Sequence, residues 1–118
     1  MTEIIAHRGA SRDLLENTLS AFAAALEQGA DGLELDVHST RDGAMVVHHD
    51  PVLRSRNSAT PRRIPDLTLE EVGAMRLADG SRVPTLDEVL TLVAGRATVY
   101  VEVKATGIEE PLVKCLRR

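Results

Sequence analysis

Short apolar segments of strand length alternate along this sequence with segments whose apolar residues recur at helical spacing. Strands are predicted at 3–6, 31–37 and 97–104, and helices at 18–28, 68–75, 85–93 and 108–117. Strands that alternate with helices build a parallel sheet covered by helices. The sequence therefore predicts a parallel α/β architecture, and its 118 residues suffice for one domain at most.

Capping residues mark the predicted helix boundaries. The first helix has Asn17 or Thr18 as its N-cap and Gly29 as its C-terminal stop. The next two helices begin with the Thr-x-x-Glu pattern of a capping box, Thr68 with Glu71 and Thr85 with Glu88. The Asp42-Gly43 turn is too short to hold a crossover helix, so it predicts a hairpin or a distorted barrel corner. The aperiodic segment 54–66 is predicted to be a loop.

Composition excludes some classes of protein. A formal net charge of -4 argues against a general nucleic-acid binder, which has a basic surface. No uninterrupted apolar segment is long enough to span a bilayer. Cys115 is the only cysteine, so no internal disulfide forms, which fits a reducing compartment. The expected location is the cytoplasm.

Carboxylates recur on two of the predicted strands. Glu34 and Asp36 project to the same side of a strand, because side chains alternate between faces. Two buried carboxylates repel each other, and a hard cation such as Mg²⁺ or Ca²⁺ relieves that repulsion. Glu102 and Lys104 repeat the spacing on the last strand. The alternatives are a solvated strand face for the first pair and an exposed edge for the second.

Histidines follow two of the apolar runs. His7 and His49 are candidate proton carriers, and Asp50 is placed to orient His49. The alternative is that each is a hydrogen-bonded structural histidine. His48 is predicted to point away from His49 and pack against a helix, whereas His38 shares the carboxylate face but is expected to lie beyond the site.

Cationic side chains accompany these groups. Arg8 and Lys104 are candidates for holding an anion, and Gly9 allows a sharp turn beside Arg8. A further basic group follows His49, in a segment that is either a solvated loop or an attractant for an anionic substrate: Arg54, Arg56, Arg62 and Arg63. Carboxylates for a cation, two histidines and anion-binding side chains together indicate a phosphate ester hydrolase.

The motifs HRGASRDLLENTLSAF, GLELDVHSTRDGAMVVHHDPVL, PDLTLEEV, PTLDEVL and VYVEVK, in this order and spacing, resemble the glycerophosphodiester phosphodiesterase family. The resemblance implies a TIM-type (β/α) barrel, of which residues 1–118 form the N-terminal portion, about the first half. It implies metal-dependent hydrolysis of glycerophosphodiesters to sn-glycerol 3-phosphate and an alcohol. The metal is usually Ca²⁺ or Mg²⁺.

The resemblance also implies a role for each candidate residue. His7 and His49 become the general acid and base, and Arg8 and Lys104 contact the substrate phosphate. The metal ligands become Glu34, Asp36 and Glu102. The family's proposed chemistry has a glycerol hydroxyl attack phosphorus to give a cyclic phosphate, which water then opens.

Three features depart from the family pattern. RSRNSATPRR follows HDPVL where the family commonly has Arg-Thr-Thr and a Gly-containing loop, and Leu15 stands where proline is frequent. Family domains are also roughly twice as long, and half a barrel leaves open sheet edges. Three explanations stay open, namely an incomplete product of a longer gene, self-association, or a second half supplied from elsewhere. The alternative functions are an impaired homologue that binds phosphodiesters or a partner, a related phospholipase D- or C-like enzyme, and a structural α/β fragment.

Overall fold

A computed structural model describes residues 3–12 and 14–103, and its main sheet is built around one central strand. β2 spans Gly32–Ser39 and pairs in parallel with β1, Ile5–His7, on one side and with β6, Thr98–Val103, on the other. This arrangement confirms the predicted parallel sheet. The three strands run in the same direction, so their carboxyl ends lie at one edge.

The helices of the described segments begin directly after the predicted caps. Their bounds are Leu19–Glu27 for α1, Leu69–Ala74 for α2 and Leu86–Val93 for α3. Thr18 is the N-cap of α1, because its hydroxyl accepts a hydrogen bond from the Ala21 N–H at 3.2 Å. Both predicted capping boxes form. The predicted helix at 108–117 lies outside the described residues, and no helix within them is long and apolar enough to cross a membrane.

The Asp42-Gly43 segment closes a hairpin, which is one of the two predicted alternatives. Strand β3, Met45–Val47, pairs antiparallel with the end of β2. Gly43 has a φ of +85°, a conformation that glycine adopts without steric cost. The hairpin brings the chain that follows β3 back toward the parallel strands.

The prediction of a loop over 54–66 is wrong for the C-terminal end of this segment. Arg62–Arg63 form strand β5, which pairs antiparallel with β4 at Val52–Leu53, and a 3₁₀ turn follows at Ile64–Asp66. The physical reason is burial of Ile64, which is fully enclosed and anchors a segment of otherwise polar sequence. It packs in a second core with other apolar residues: Val46, Leu53, Leu67, Val72, Leu77 and Val83.

The two faces of β2 have opposite character. Leu33, Leu35 and Val37 are fully buried beneath α1 and α3, where they form the main core with Phe22 and Val89. Burying a side chain of this size contributes about 1.5–3 kcal/mol. The alternate residues of β2 project to the other face, so the helix-facing core fixes where those polar residues point.

Candidate active site

Three carboxylates converge on the face of the sheet opposite the helices. Glu34 and Asp36 lie on β2, and the register places Asp36 directly beside Glu102 on β6. Each residue offers an oxygen, and these oxygens all lie within 4.8 Å of one another. Asp36 is fully buried, and burial raises the pKa of Glu34, to which the charge of Asp36 adds. Closely spaced carboxylate oxygens are the donor set that a hard divalent cation prefers.

His7 adjoins this carboxylate cluster. It is the last residue of β1, which ends one residue beyond the predicted 3–6 segment, and it pairs in register with Glu34. Its Nε2 lies 3.1 Å from Oε2 of Glu34. The imidazole is largely exposed, so one side contacts the cluster while the other is open to solvent.

The Arg8 side chain extends from the β1 end between two acidic residues. Its Nε lies 3.1 Å from Oδ2 of Asp36, and its Nη1 lies 3.2 Å from Oε2 of Glu16. The Arg8 side chain is four-fifths buried, which strengthens these electrostatic contacts relative to a surface pair. The positive charge of Arg8 therefore lies beside the carboxylate cluster. Sequence reasoning did not single out Glu16.

The backbone at Arg8 and Gly9 makes the sharp turn that positions this side chain. Both residues have positive φ, 59° at Arg8 and 83° at Gly9. A Cβ on Gly9 would lie only 2.8 Å from the backbone carbonyl carbon of Ala21, so α1 packs directly against the turn. The Arg8 N–H donates to the Glu34 carbonyl at 2.7 Å, which ties the turn to β2.

Asn17 is a site residue that sequence reasoning considered only as a helix cap. Its Nδ2 donates to Oδ2 of Asp36 at 2.9 Å, and its side chain is almost fully buried. Its backbone N–H donates to the Arg8 carbonyl, also at 2.9 Å. The available signal was a carboxamide immediately before a better cap, Thr18, at the start of an otherwise apolar helix.

His49 lies across from this turn on the segment after β3. Its Nδ1 lies 3.0 Å from Oδ1 of Asp50, so the adjacent carboxylate orients the ring as expected. The prediction that His48 points away and packs against a helix is wrong, because β3 ends at Val47 and strand alternation does not extend to residue 48. His48 lines the same cleft as His49, and burial lowers the pKa of its imidazole.

His38 supports this segment from beneath. It is buried on the carboxylate face of β2, and its Nε2 lies 3.0 Å from the carbonyl oxygen of His49. Sequence reasoning expected it to lie beyond the site. Its contact with the main chain of His49 instead places it in the layer that supports the candidate proton carrier.

A cleft of about 320 Å³ separates the β1 turn from the segment after β3. Its charged and polar lining comes from both sides: Arg8, Glu16, His48, His49, Asp50 and Arg54. Its apolar lining is Leu15, Leu77 and Ala78. The cleft contains cationic, anionic and imidazole groups within one small volume, which suits a compact polar ligand better than a large apolar one.

The remaining cationic candidates have different positions. Arg54 lines the cleft, whereas Arg62 lies 3.6 Å from Glu71 and Arg63 is exposed on β5. Arg56 packs over Gly80. Only Arg54 of the predicted basic group therefore reaches the candidate site. Lys104 lies outside the described residues.

A parallel α/β sheet with carboxylates, an arginine and histidines on one face defines the class of this chain, part of a (β/α) barrel with a polar site on its strands. The chain belongs to the glycerophosphoryl diester phosphodiesterase family, whose model matches residues 7–115. The TIM-type barrel predicted from sequence is thereby confirmed, and the chain is its N-terminal part.

Individual relatives agree with this assignment. The chain is 40% identical over 129 aligned positions to a glycerophosphodiester phosphodiesterase of Caldanaerobacter subterraneus subsp. tengcongensis, covering 98% of this chain and 53% of that protein. The crystal structure of a glycerophosphodiester phosphodiesterase from Agrobacterium tumefaciens str. C58 matches with a TM-score of 0.87 and 36% identity, covering 99% of this chain and 53% of the other.

A third relative was solved with a ligand. An Oleispira antarctica phosphodiesterase in complex with the product sn-glycerol-3-phosphate matches with a TM-score of 0.84 and 29% identity, over 100% of this chain and 53% of the other. This chain thus spans about half the length of the relatives that it matches.

Proposed function

We propose that this chain carries the acid–base and metal-binding residues of a glycerophosphodiester phosphodiesterase, which hydrolyses its substrate to sn-glycerol 3-phosphate and an alcohol. The observation that carries the proposal is the convergence of three carboxylates, Arg8 and His7 on one face of the sheet. Family membership and the product-bound Oleispira relative support the choice of substrate. The expected compartment is the cytoplasm.

The proposed cation is Mg²⁺ or Ca²⁺. Glu34, Asp36 and Glu102 would hold it, since their oxygens are close enough together to share one ion and carboxylate oxygen is the donor that both ions prefer. When bound, such an ion neutralises charge on the phosphate oxygens. The cluster fits this group because its three carboxylate oxygens converge around the fully buried Asp36, and a cation relieves the repulsion between carboxylates that lie so close together.

Arg8 is proposed to bind the substrate phosphate. Its Nε and Nη1 contact Asp36 and Glu16, and a guanidinium has five N–H donors, so further donors are available to an anion in the cleft. Lys104 is proposed as a second phosphate contact on the family resemblance alone.

His7 and His49 are proposed to transfer the protons. One takes the proton of the glycerol hydroxyl as its oxygen bonds to phosphorus, and the other protonates the alcohol oxygen as its bond to phosphorus breaks. Water then opens the cyclic phosphate, with the histidines in exchanged roles. Asp50 supports the role of His49, because a proton held on Nδ1 leaves Nε2 as the nitrogen that accepts or donates.

A second candidate is binding of phosphodiesters without turnover by the 118-residue chain alone. The observation that favours it is apolar exposure on the outer strands, where Ile5, Tyr100 and Val103 are 48%, 40% and 37% exposed. A complete barrel, or a second copy of the chain, would cover such a surface.

The test is release of glycerol 3-phosphate from glycerophosphocholine, with Mg²⁺ or Ca²⁺ and then with EDTA. Metal-dependent release by the 118-residue chain that disappears in His49→Ala supports the proposal and shows that the chain needs no further segment for activity. If only a chain extended to barrel length releases glycerol 3-phosphate, the 118-residue chain alone does not turn the substrate over, which is the outcome that the second candidate expects. Absence of metal-dependent release from both chains contradicts the proposed function.

A further inference from the structure

Asn17 connects two parts of the candidate site that lie on different elements. Its side-chain N–H group donates to Oδ2 of Asp36 at 2.9 Å, and its backbone N–H donates to the carbonyl of Arg8 at 2.9 Å. Only 1% of Asn17 is exposed, so water does not substitute for these contacts. Asn17 is therefore hydrogen-bonded both to the Asp36 carboxylate on β2 and to the turn after β1.

The contact with Asp36 fixes the orientation of a buried carboxylate. Asp36 is 0% exposed, and a buried carboxylate needs hydrogen-bond donors or cations to offset its lost hydration. The Asn17 amide and the Arg8 Nε approach the same oxygen, Oδ2, at 2.9 Å and 3.1 Å. These two contacts to one oxygen fix the rotation of the Asp36 carboxylate plane. They therefore also fix how this carboxylate faces the other two members of the carboxylate cluster.

The backbone at position 17 narrows the residue types that can make this contact. Its φ is 55°, a left-handed conformation that asparagine adopts more readily than most residues. Glycine adopts it too but lacks a donor, and aspartate would set a second carboxylate against Asp36. Asparagine combines the conformation with the N–H group, which neither glycine nor aspartate does.

We propose that Asn17 is a positioning residue, which holds Asp36 in the orientation that the divalent cation requires. The inference rests on the proposed function, because Asp36 is a ligand only if the carboxylate cluster binds a cation. Groups that orient metal ligands commonly change metal affinity by 10–100-fold when they are removed.

The experiment is a titration of the 118-residue chain with Mn²⁺, followed by electron paramagnetic resonance of the free ion. Asn17→Gly retains the left-handed backbone and removes the amide, and we expect its Mn²⁺ affinity to fall by about 10–100-fold. The matched control is Ala24→Gly, which weakens α1 without touching Asp36 and should leave the affinity unchanged. Circular dichroism establishes that each variant is folded.

Asn17→Ser replaces Asn17→Gly if the glycine variant does not fold, because serine is too short to reach Asp36 and should show the same loss. Equal affinities of the parent and the folded Asn17 variant would overturn the inference while leaving the cation site intact. An equal loss in Ala24→Gly would also overturn it, since helix stability would then be the cause. A parent chain that binds no Mn²⁺ would overturn both the inference and the proposed cation site.

Discussion

Replacing Gly9 with alanine tests the turn that carries Arg8 out of β1. Gly9 has a φ of +83°, and a Cβ at this position would lie 2.8 Å from the carbonyl carbon and 2.9 Å from the Cβ of Ala21. A left-handed backbone costs a non-glycine residue about 1–2 kcal/mol. Overpacking against α1 costs about 1–3 kcal/mol more. We expect Gly9→Ala to lower the free energy of unfolding by about 2–5 kcal/mol.

The hairpin supplies a matched control for this substitution. Gly43 has a φ of +85°, but a Cβ there meets nothing within 4 Å. Gly43→Ala should therefore cost only the conformational part, about 1–2 kcal/mol. Both variants are compared with the parent by urea unfolding followed by circular dichroism. Equal losses would refute the close contact between the turn and α1, and no loss in either variant would refute the argument from backbone conformation.

Two further predictions concern ionisable groups outside the proposed catalytic pair. The hydrogen bond from Arg82 is the main reason that the pKa of Glu88 falls from 4.5 to about 2, so its stabilisation is present above pH 4.5 and is lost as pH falls toward 2. After allowance for solvent screening, Glu88→Gln should lower the free energy of unfolding by about 1 kcal/mol at neutral pH and should not change it below about pH 2. The measurement is the free energy of unfolding of parent and variant as a function of pH. The same acid dependence in parent and variant would contradict this prediction. His38 contacts the carbonyl of His49, and His38→Gln retains an N–H donor whereas His38→Leu does not. In urea unfolding, His38→Leu should therefore lower the free energy of unfolding by about 1 kcal/mol more than His38→Gln. Equal losses in the two variants would show that this hydrogen bond does not contribute to stability.

Features that depend on local periodicity were predictable from the sequence. Glu34 and Asp36 lie on one face because a strand alternates, and the apolar residues that alternate with them are buried beneath helices as that alternation requires. The Thr-x-x-Glu patterns at Thr68 and Thr85 determine helix starts through contacts only three residues apart. Each of these inferences needed only neighbouring residues.

Features that depend on where an element stops, or on distant contacts, were not predictable in this way. The alternation used for His48 was valid only if β3 continued past Val47, and the chain leaves the strand at that point. β5 forms because Ile64 is buried by residues distant in sequence. Asn17 and Asp36 are 19 residues apart, and nothing in their local sequence indicates that they meet.

The backbone around Asp36 shows why the site requires the surrounding fold. Arg8 and Asn17 have positive φ although neither is a glycine, and such strain persists only where other contacts offset it. The offsetting contacts are hydrogen bonds of the turn itself, from the Arg8 N–H to Glu34 and from the Asn17 N–H to Arg8. Because these bonds need no ligand, they hold the turn in place independently of the proposed cation and phosphate. A ligand that binds there meets an arranged set of charges, so less of its binding energy is spent on ordering the protein.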